Sequence, residues 1–222
     1  MFYFKGTRKP DFKKIEQNIY NLYWQDKGFN IRHKLMERED IFFDWIPEGS
    51  NVLSIGCGNS RLLYELKKQK KCQVTGIDIE QSVVDGQKKN DVSTQKADIT
   101  SDDFYLEEKF EYIIISEVLE HLVLPEALLG KIRKNTNHLI LSVPNSAFYR
   151  YRLGLLFGGR FFTQWAKHPA EHLRFWSHSD FTDWLGALGF EVEKTVSSNG
   201  PFLKNIWPNM FGHQICYLVK NK

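Results

Sequence analysis

Cysteine is scarce in this 222-residue chain, and Cys57, Cys72 and Cys216 are odd in number, far apart and outside any Cys-x-x-Cys or Cys/His pairing. Such a set builds neither a disulfide framework nor a zinc site, and it suits a reducing compartment. Long apolar runs are missing too. No stretch approaches the roughly 18–20 apolar residues that span a bilayer, and Met1 to Pro10 lacks the apolar core and small-residue cleavage site of a secretory signal. The sequence therefore reads as cytoplasmic, without a membrane span. Charge of one sign is equally short: 30 basic against 27 acidic side chains leave a formal +3, too little to hold nucleic acid unless clustered, so no nucleic-acid partner is expected. No internal repeat or low-complexity segment is present, which sets aside solenoids and linkers.

What is there is an ordinary globular composition, 42% apolar and 26% charged, of a length that favours one domain with elaborations, here residues 1–222. From Asp11 to Trp45 the residues Phe12, Ile15, Ile19, Leu22, Tyr23, Leu35, Phe42 and Trp45 recur at helical spacing around a break at Gly28. This predicts a helical cap over 1–46. After the turn at Pro47 to Ser50 the chain alternates strands (Val52–Ile55, Gln73–Ile77, Thr94–Ala97, Tyr112–Ser116, His138–Val143) with helices (Arg61–Lys68, Gln81–Asn90, Glu117–Lys134 interrupted at Pro125), the signature of a parallel sheet covered on both faces. Ser146–Arg174 is rich in glycine, aromatic and basic residues and reads as an irregular covering insertion. Ser179–Leu188 reads as a helix, and Phe190–Val196 and Gln214–Val219 as strands.

The most informative stretch runs from strand to glycine turn to helix, Val52-Leu53-Ser54-Ile55-Gly56-Cys57-Gly58-Asn59-Ser60. Gly56 and Gly58 permit a sharp turn and a close approach of main chain to a ligand beside a helix N-terminus. A bare Gly-x-Gly is equally a plain strand-to-helix turn, but Asp78 ends the next strand 20 positions after Gly58, where a carboxylate accepts hydrogen bonds from both ribose hydroxyls. Asp78 also suits capping of the helix that follows, and the two roles are compatible. The third small residue of a pyrophosphate turn is absent from Gly58-Asn59-Ser60-Arg61-Leu62, which disfavours a dinucleotide.

In these motifs the sequence resembles the class I S-adenosylmethionine-dependent methyltransferases over about residues 15–220, and within them the MetW-like proteins and related enzymes of surface-polysaccharide clusters. Lys96-Ala97-Asp98-Ile99 is similar to the family's third motif, Ile113 to Leu122 to its strand-four motif, and Leu141-Ser142-Val143-Pro144-Asn145 to its strand-five ending. The resemblance implies a Rossmann-like α/β fold: a mostly parallel seven-stranded sheet with helices on both faces and an antiparallel last strand, behind the helical cap. Residues 51–145 would be the cofactor half, 146–178 the substrate-covering insertion and 179–222 a terminal helix and strands. It implies S-adenosylmethionine as cofactor, S-adenosylhomocysteine as product, and Ser54, Gly56, Cys57, Gly58, Asp78, Ile79, Ala97, Asp98, Ile99 and Ser116 as the residues around it. Ser54 stands where the family usually carries an acidic residue, and Ser60 where it carries a third glycine, so charge toward the methionine ammonium is missing at Ser54. Cys57 inside the turn reads as packing.

Methyl transfer is an in-line displacement that needs alignment, plus a base if the acceptor is a hydroxyl. His172, beside Glu171 in the covering insertion, is the preferred base. His121 is the second, four residues after Glu117 on the expected helix and hence on one face with it. Helix packing and a structural loop histidine are the plain alternatives for both. His168 and His172 are spaced like metal ligands, but Pro169 spoils that helix face and no third ligand is evident, so no metal is expected. Arg150, Arg152, Arg160 and Arg174 are the candidates for holding a carboxylate or phosphate on the acceptor, solvated surface being the alternative, and Asn145 and Tyr23 are further candidates for acceptor binding. Tyr20, Tyr23 and Trp24 of the cap could also close over the cofactor, with core packing as the plainer use. No Asn/Asp-Pro-Pro-Tyr/Phe tetrapeptide follows Ile115, which moves exocyclic amines down and leaves an oxygen on a small polar metabolite or glycan precursor.

Three function classes follow. An O-methyltransferase on a small or glycan-linked acceptor is first. A cofactor-binding protein that acts by association with an acyltransferase in methionine biosynthesis is second. A nicotinamide oxidoreductase is third and is weakened by the incomplete glycine pattern. A homodimer is compatible with each.

Overall fold

The computed structural model describes residues 30–159 and 172–222. In chain order the elements are α1 (Glu37–Trp45), β1 (Asn51–Ile55), α2 (Leu62–Lys70), β2 (Gln73–Asp78), α3 (Gln81–Lys89), β3 (Ser93–Lys96), β4 (Phe110–Ser116), a 3-10 turn (Leu119–His121), α4 (Pro125–Ile132), β5 (Thr136–Pro144), α5 (Tyr149–Gly158), α6 (His178–Ala187), β6 (Phe190–Ser198), a 3-10 turn (Phe202–Asn205), α7 (Pro208–Phe211) and β7 (Gln214–Asn221). The strands form one sheet in the order β3-β2-β1-β4-β5-β7-β6. Strands β1 to β5 pair in parallel, and β7 runs antiparallel to both β5 and β6. This is the mostly parallel seven-stranded sheet that the resemblance implies. The expected strands are present with ends shifted by one or two residues. No helix among the described residues is long and apolar enough to cross a membrane.

Burial on both faces explains the β-branched runs. Successive side chains of a strand point to opposite faces, so Leu53, Ile55, Ile113, Ile115, Leu139 and Leu141 pack on one side with Leu128 and Leu129 of α4 and Phe181 and Leu185 of α6. Val52, Ile114, Ile140 and Cys216 pack on the other with Phe42 of α1, Leu62, Leu63 and Leu66 of α2 and Val83 of α3. The two layers hold the strands' carboxyl ends in register at one edge, the place where open α/β sheets bind ligands.

Two expectations are corrected. Glu117–Lys134 is not one helix: Glu117 adopts a left-handed φ of 56°, a 3-10 turn follows, and α4 starts afresh with Pro125 in its first turn, where a missing N–H costs nothing. Ser146–Arg174 is not wholly irregular, because it contains α5. That helix buries only Tyr151 and exposes Leu155, Leu156 and Phe157, so it carries no apolar periodicity to read. The segment between β6 and β7 folds into a 3-10 turn and α7. Of the helical cap, α1 is described, while Phe12, Ile15, Ile19, Leu22, Tyr20, Tyr23, Trp24 and Gly28 lie outside the described residues, as do Arg160, His168, Pro169 and Glu171.

Candidate functional site

The glycine turn is fastened from three directions. The N–H groups of Gly56 and Cys57 donate to the Ile77 carbonyl at 2.8 and 3.1 Å. The Gly58 N–H donates to Asp78 Oδ2 at 2.9 Å, and the buried Gln87 of α3 donates through Nε2 to the carbonyls of Gly58 and Ser60 at 2.8 and 2.9 Å. Gly56 (φ 67°) and Gly58 (φ 50°) are both left-handed, and a Cβ on Gly56 would stand 2.5 Å from Val118 Cγ2. Only glycine fits there. Gly76 of β2 meets the turn from below, where a Cβ would stand 2.9 Å from Cys57 Sγ. The Cys57 side chain therefore packs, and burial, with the Asp78 charge second, pushes its thiol up.

Asp78 Oδ1 accepts from the Glu80 N–H at 3.1 Å, so the carboxylate tethers the start of α3 as well as the turn. Burial raises its carboxyl above the ordinary carboxylate value, against the lowering effect of the N–H groups of Glu80, Gly58 and Ile79. Ser60 Oγ accepts from the Leu62 N–H at 3.1 Å at the start of α2 and donates to Glu39 Oε1 at 2.6 Å.

A cavity of about 450 Å³ opens at this edge, within the size range of small-molecule sites. Ser54, Gly56, Cys57, Gly58, Asp78, Ile79, Ala97, Asp98, Ile99 and Ser116 all line it, joined by Glu117 and His121. Asp98 Oδ1 accepts from the Thr100 N–H and hydroxyl at 2.9 and 2.6 Å, which hold its carboxyl below the usual value. Ile79, Ala97 and Ile99 give that end an apolar wall.

The sequence reading missed Arg32, Arg38 and Glu39, which line the same cavity. Glu39 is buried and accepts from Arg32 Nη2 at 2.5 Å and from the Met36 N–H at 2.8 Å, in addition to Ser60. Arg38 donates to Ser116 Oγ at 3.2 Å and to Gln214 Oε1 at 3.4 Å. A signal was present: Phe42 marks the inward face of α1, and Glu39 lies three residues before it on that face.

The other end of the cavity is built by side chains. Glu117 Oε1 accepts from Ser142 Oγ at 3.0 Å and Oε2 from Gln214 Nε2 at 2.6 Å, so the expected Glu117–His121 pair does not form. The left-handed turn at Glu117 is the reason: it directs the carboxylate toward β5 and β7. His121 instead meets His172 edge to face, with ring centroids 4.6 Å apart. Its Nε2 lies 4.0 Å from Oε1 of the buried Glu120. Burial, with His121 second, lowers the His172 pKa to about 3. A ring that holds a proton so weakly is poorly matched to base catalysis near neutral pH.

Among the described residues, the acceptor candidates Asn145, Arg150, Arg152 and Arg174 do not line the cavity. Asn145 donates to the carbonyls of Pro208, Asn209 and Gly212 and accepts from the Ala147 N–H, so its amide ties loops together. Arg152 donates to the carbonyls of Ala147 and Asn209, Arg174 to that of Val123, and Arg150 to Tyr149 Oη at 3.1 Å.

Residues 37–219 match the family model described as methionine biosynthesis protein MetW. The chain belongs to the MetW family. Among curated relatives, the bifunctional methionine biosynthesis protein MetXA/MetW of Rhodopirellula baltica is 25% identical over an alignment of 181 residues that covers 71% of this chain and 28% of that protein. The chain thus spans less than a third of that relative. The ubiquinone biosynthesis O-methyltransferase of Glaesserella parasuis is 27% identical over an alignment of 175 residues that covers 72% of this chain and 74% of the relative. Among solved structures, magnesium protoporphyrin IX methyltransferase from Synechocystis, with bound S-adenosylhomocysteine, superposes with a TM-score of 0.58 at 18% identity, covering 98% of this chain and 90% of that one. This MetW-family chain has the class I methyltransferase fold.

Proposed function

We propose that the chain is an S-adenosylmethionine-dependent methyltransferase that methylates an oxygen of a small polar or anionic acceptor, such as a hydroxyl, carboxylate or phosphate of a glycan precursor. The observation that carries the reading is Asp78: a buried carboxylate at the end of β2, hydrogen-bonded to the Gly58 N–H, in a cavity whose floor is a glycine turn that tolerates no side chain. These residues fit the cofactor. Asp78 would take the ribose hydroxyls, Ile79, Ala97 and Ile99 the adenine faces and Asp98 its amino group, while Gly56, Cys57 and Gly58 line the path of the methionine moiety. When bound, S-adenosylmethionine supplies an electrophilic methyl group on a sulfonium. The chain's part is to align an acceptor with that group and to exclude water from the meeting point.

The test is calorimetric titration with S-adenosylmethionine and S-adenosylhomocysteine. Saturable binding is expected, weakened on the order of 100-fold or more in Asp78→Ala because two hydrogen bonds to a charged acceptor are lost. Binding absent from the unsubstituted protein would remove this reading.

A second reading is that the chain holds the cofactor but acts by association with an acyltransferase in methionine biosynthesis. The fused name of the Rhodopirellula relative and the low basicity of His172 support it. His121→Asn and His172→Ala that retain cofactor binding and full effect in a methionine-auxotroph rescue would favour association over catalysis.

A further inference from the structure

The trio Glu120, His121 and His172 belongs to neither the cofactor residues nor the acceptor candidates placed above. Each offers one ligand atom, and the three atoms lie within 4.8 Å of one another. Around a tetrahedral ion with bonds of about 2.1 Å, ligand atoms stand roughly 3.4 Å apart, so the trio closes onto an ion by an adjustment that side-chain rotation supplies. We infer that Glu120, His121 and His172 form the binding site of a divalent first-row transition-metal ion, whose open positions face the cavity and take a hydroxyl oxygen of the acceptor.

The backbone places these ligands beforehand. His121 ends the 3-10 turn, where its N–H donates to the Val118 carbonyl at 3.0 Å. The Glu120 carbonyl, on the same turn, accepts from the N–H groups of Leu173 and Arg174 at 2.8 and 3.1 Å, which pins the segment carrying His172 against the turn carrying the other two. Two residues distant in sequence are thus delivered to one point by main chain. Sites fixed in this way lose little side-chain entropy on binding.

The donor set selects the ion. Two imidazoles and one carboxylate suit zinc and its first-row neighbours, and they leave at least one position open, as in catalytic rather than structural sites. The surroundings are asymmetric. Glu120 and His172 are 1% and 9% exposed, and Leu119 and Leu122 are buried beside them, whereas His121 and Leu122 line the cavity. The closed apolar side strengthens ligation by lowering the local dielectric, and the open side admits an exogenous oxygen.

The role given to that oxygen rests on the methyl-transfer reading; the ion site does not. A hydroxyl on such an ion is acidified: its O–H bond breaks, the electron pair stays on oxygen and the proton passes to solvent. The acceptor would then be presented as an anion without a protein base near neutral pKa. This narrows the acceptor class to molecules with a hydroxyl that can ligate a metal.

The test uses the full chain, stripped with chelator and dialysed, then titrated with Co²⁺ followed by its visible absorption and with Zn²⁺ by calorimetry. One equivalent is expected to bind, with affinity lowered at least about 10-fold in Glu120→Gln and in His172→Ala. Because those two side chains are buried, His121→Asn on the cavity side is the third variant, and each is checked for its melting temperature and for S-adenosylhomocysteine binding. Stoichiometric binding in the unsubstituted protein, weakened in folded variants, supports the site. Absence of stoichiometric binding, or binding that all three variants retain, overturns it. Cofactor titration of the same samples separates the outcomes: cofactor binding without metal binding removes the metal site alone, and metal binding without cofactor binding removes the methyltransferase reading and keeps the site.

Discussion

At the carboxyl ends of β1 and β2 the cavity wall is main chain, whereas at the ends of β4 and β5 it is side chain. The first wall consists of left-handed glycines whose N–H groups bond to the Ile77 carbonyl and to Asp78, with Gln87 closing the turn from α3. The second is Arg38, Ser116 and Glu117, backed by the buried Ser142 and Gln214 in a relay in which each polar atom depends on a residue from another part of the chain. A main-chain wall suits a ligand that is the same in every turnover. A side-chain wall can change one residue at a time, which suits the half that meets an acceptor.

The sharpest way to break this contrast is Gly56→Val. A left-handed β-branched residue with its Cβ in collision with Val118 is strained by about 3 kcal/mol or more. A melting temperature lowered by roughly 6 °C or more, with S-adenosylhomocysteine binding lost, is expected. A folded variant that still binds would show that the turn is not the cofactor wall. Next in size is Asn145→Ala on the other half. It removes the amide that spans three carbonyls and the Ala147 N–H, a loss of about 2–3 kcal/mol from buried unsatisfied groups. Chemical denaturation should report that loss while cofactor affinity stays within about two-fold. A large fall in affinity would mean that the two walls are coupled.

The same contrast decides what could be read before any coordinates. Gly56, Gly58 and Asp78 sit within one strand-turn-helix-strand unit, so their spacing carries their geometry, and all ten expected cofactor residues line one cavity. The parallel strands were legible because burial on both faces forces continuous apolar runs. The Glu120, His121 and His172 cluster was not, since His172 is 51 positions from His121 and the two meet through tertiary contacts, among them the hydrogen bonds to the Glu120 carbonyl, that no local spacing encodes. The Glu117–His121 pairing failed for a local reason. Helical spacing has meaning only inside a helix, and the left-handed turn at Glu117 ends that premise. The Arg32–Glu39–Ser60 contact is a third case, because Glu39 lies on α1 while Arg32 and Ser60 lie in irregular segments before α1 and after β1, where no periodicity places them.

Acid sensitivity offers a smaller effect confined to the side-chain half. Burial, with the positive charge of Arg150 second, lowers the His213 pKa from 6.5 to about 4. A histidine whose folded pKa is depressed contributes stability that is present above about pH 6.5 and is lost as the pH falls toward 4, because the unfolded chain takes up the proton first. From pH 7 to 5 this ring accounts for at most about 2 kcal/mol. His172 and His178, also lowered, act in the same direction. Thermal melts at the two pH values should show a drop that is reduced, not abolished, in His213→Gln.

Arg150→Ala carries the smallest expected effect and separates two roles for one charge. Exposed on α5 and hydrogen-bonded to Tyr149, the guanidinium should contribute less than about 0.5 kcal/mol to stability at pH 7. Its removal takes away a repulsion that keeps His213 neutral, so the folded His213 pKa rises toward 6.5 and the loss between pH 7 and 5 becomes shallower. A nuclear magnetic resonance titration of the His213 ring reads that change directly. If instead the variant leaves the ring's titration unmoved and raises the KM for an acceptor severalfold, Arg150 belongs to acceptor binding after all, and the side-chain wall extends along α5.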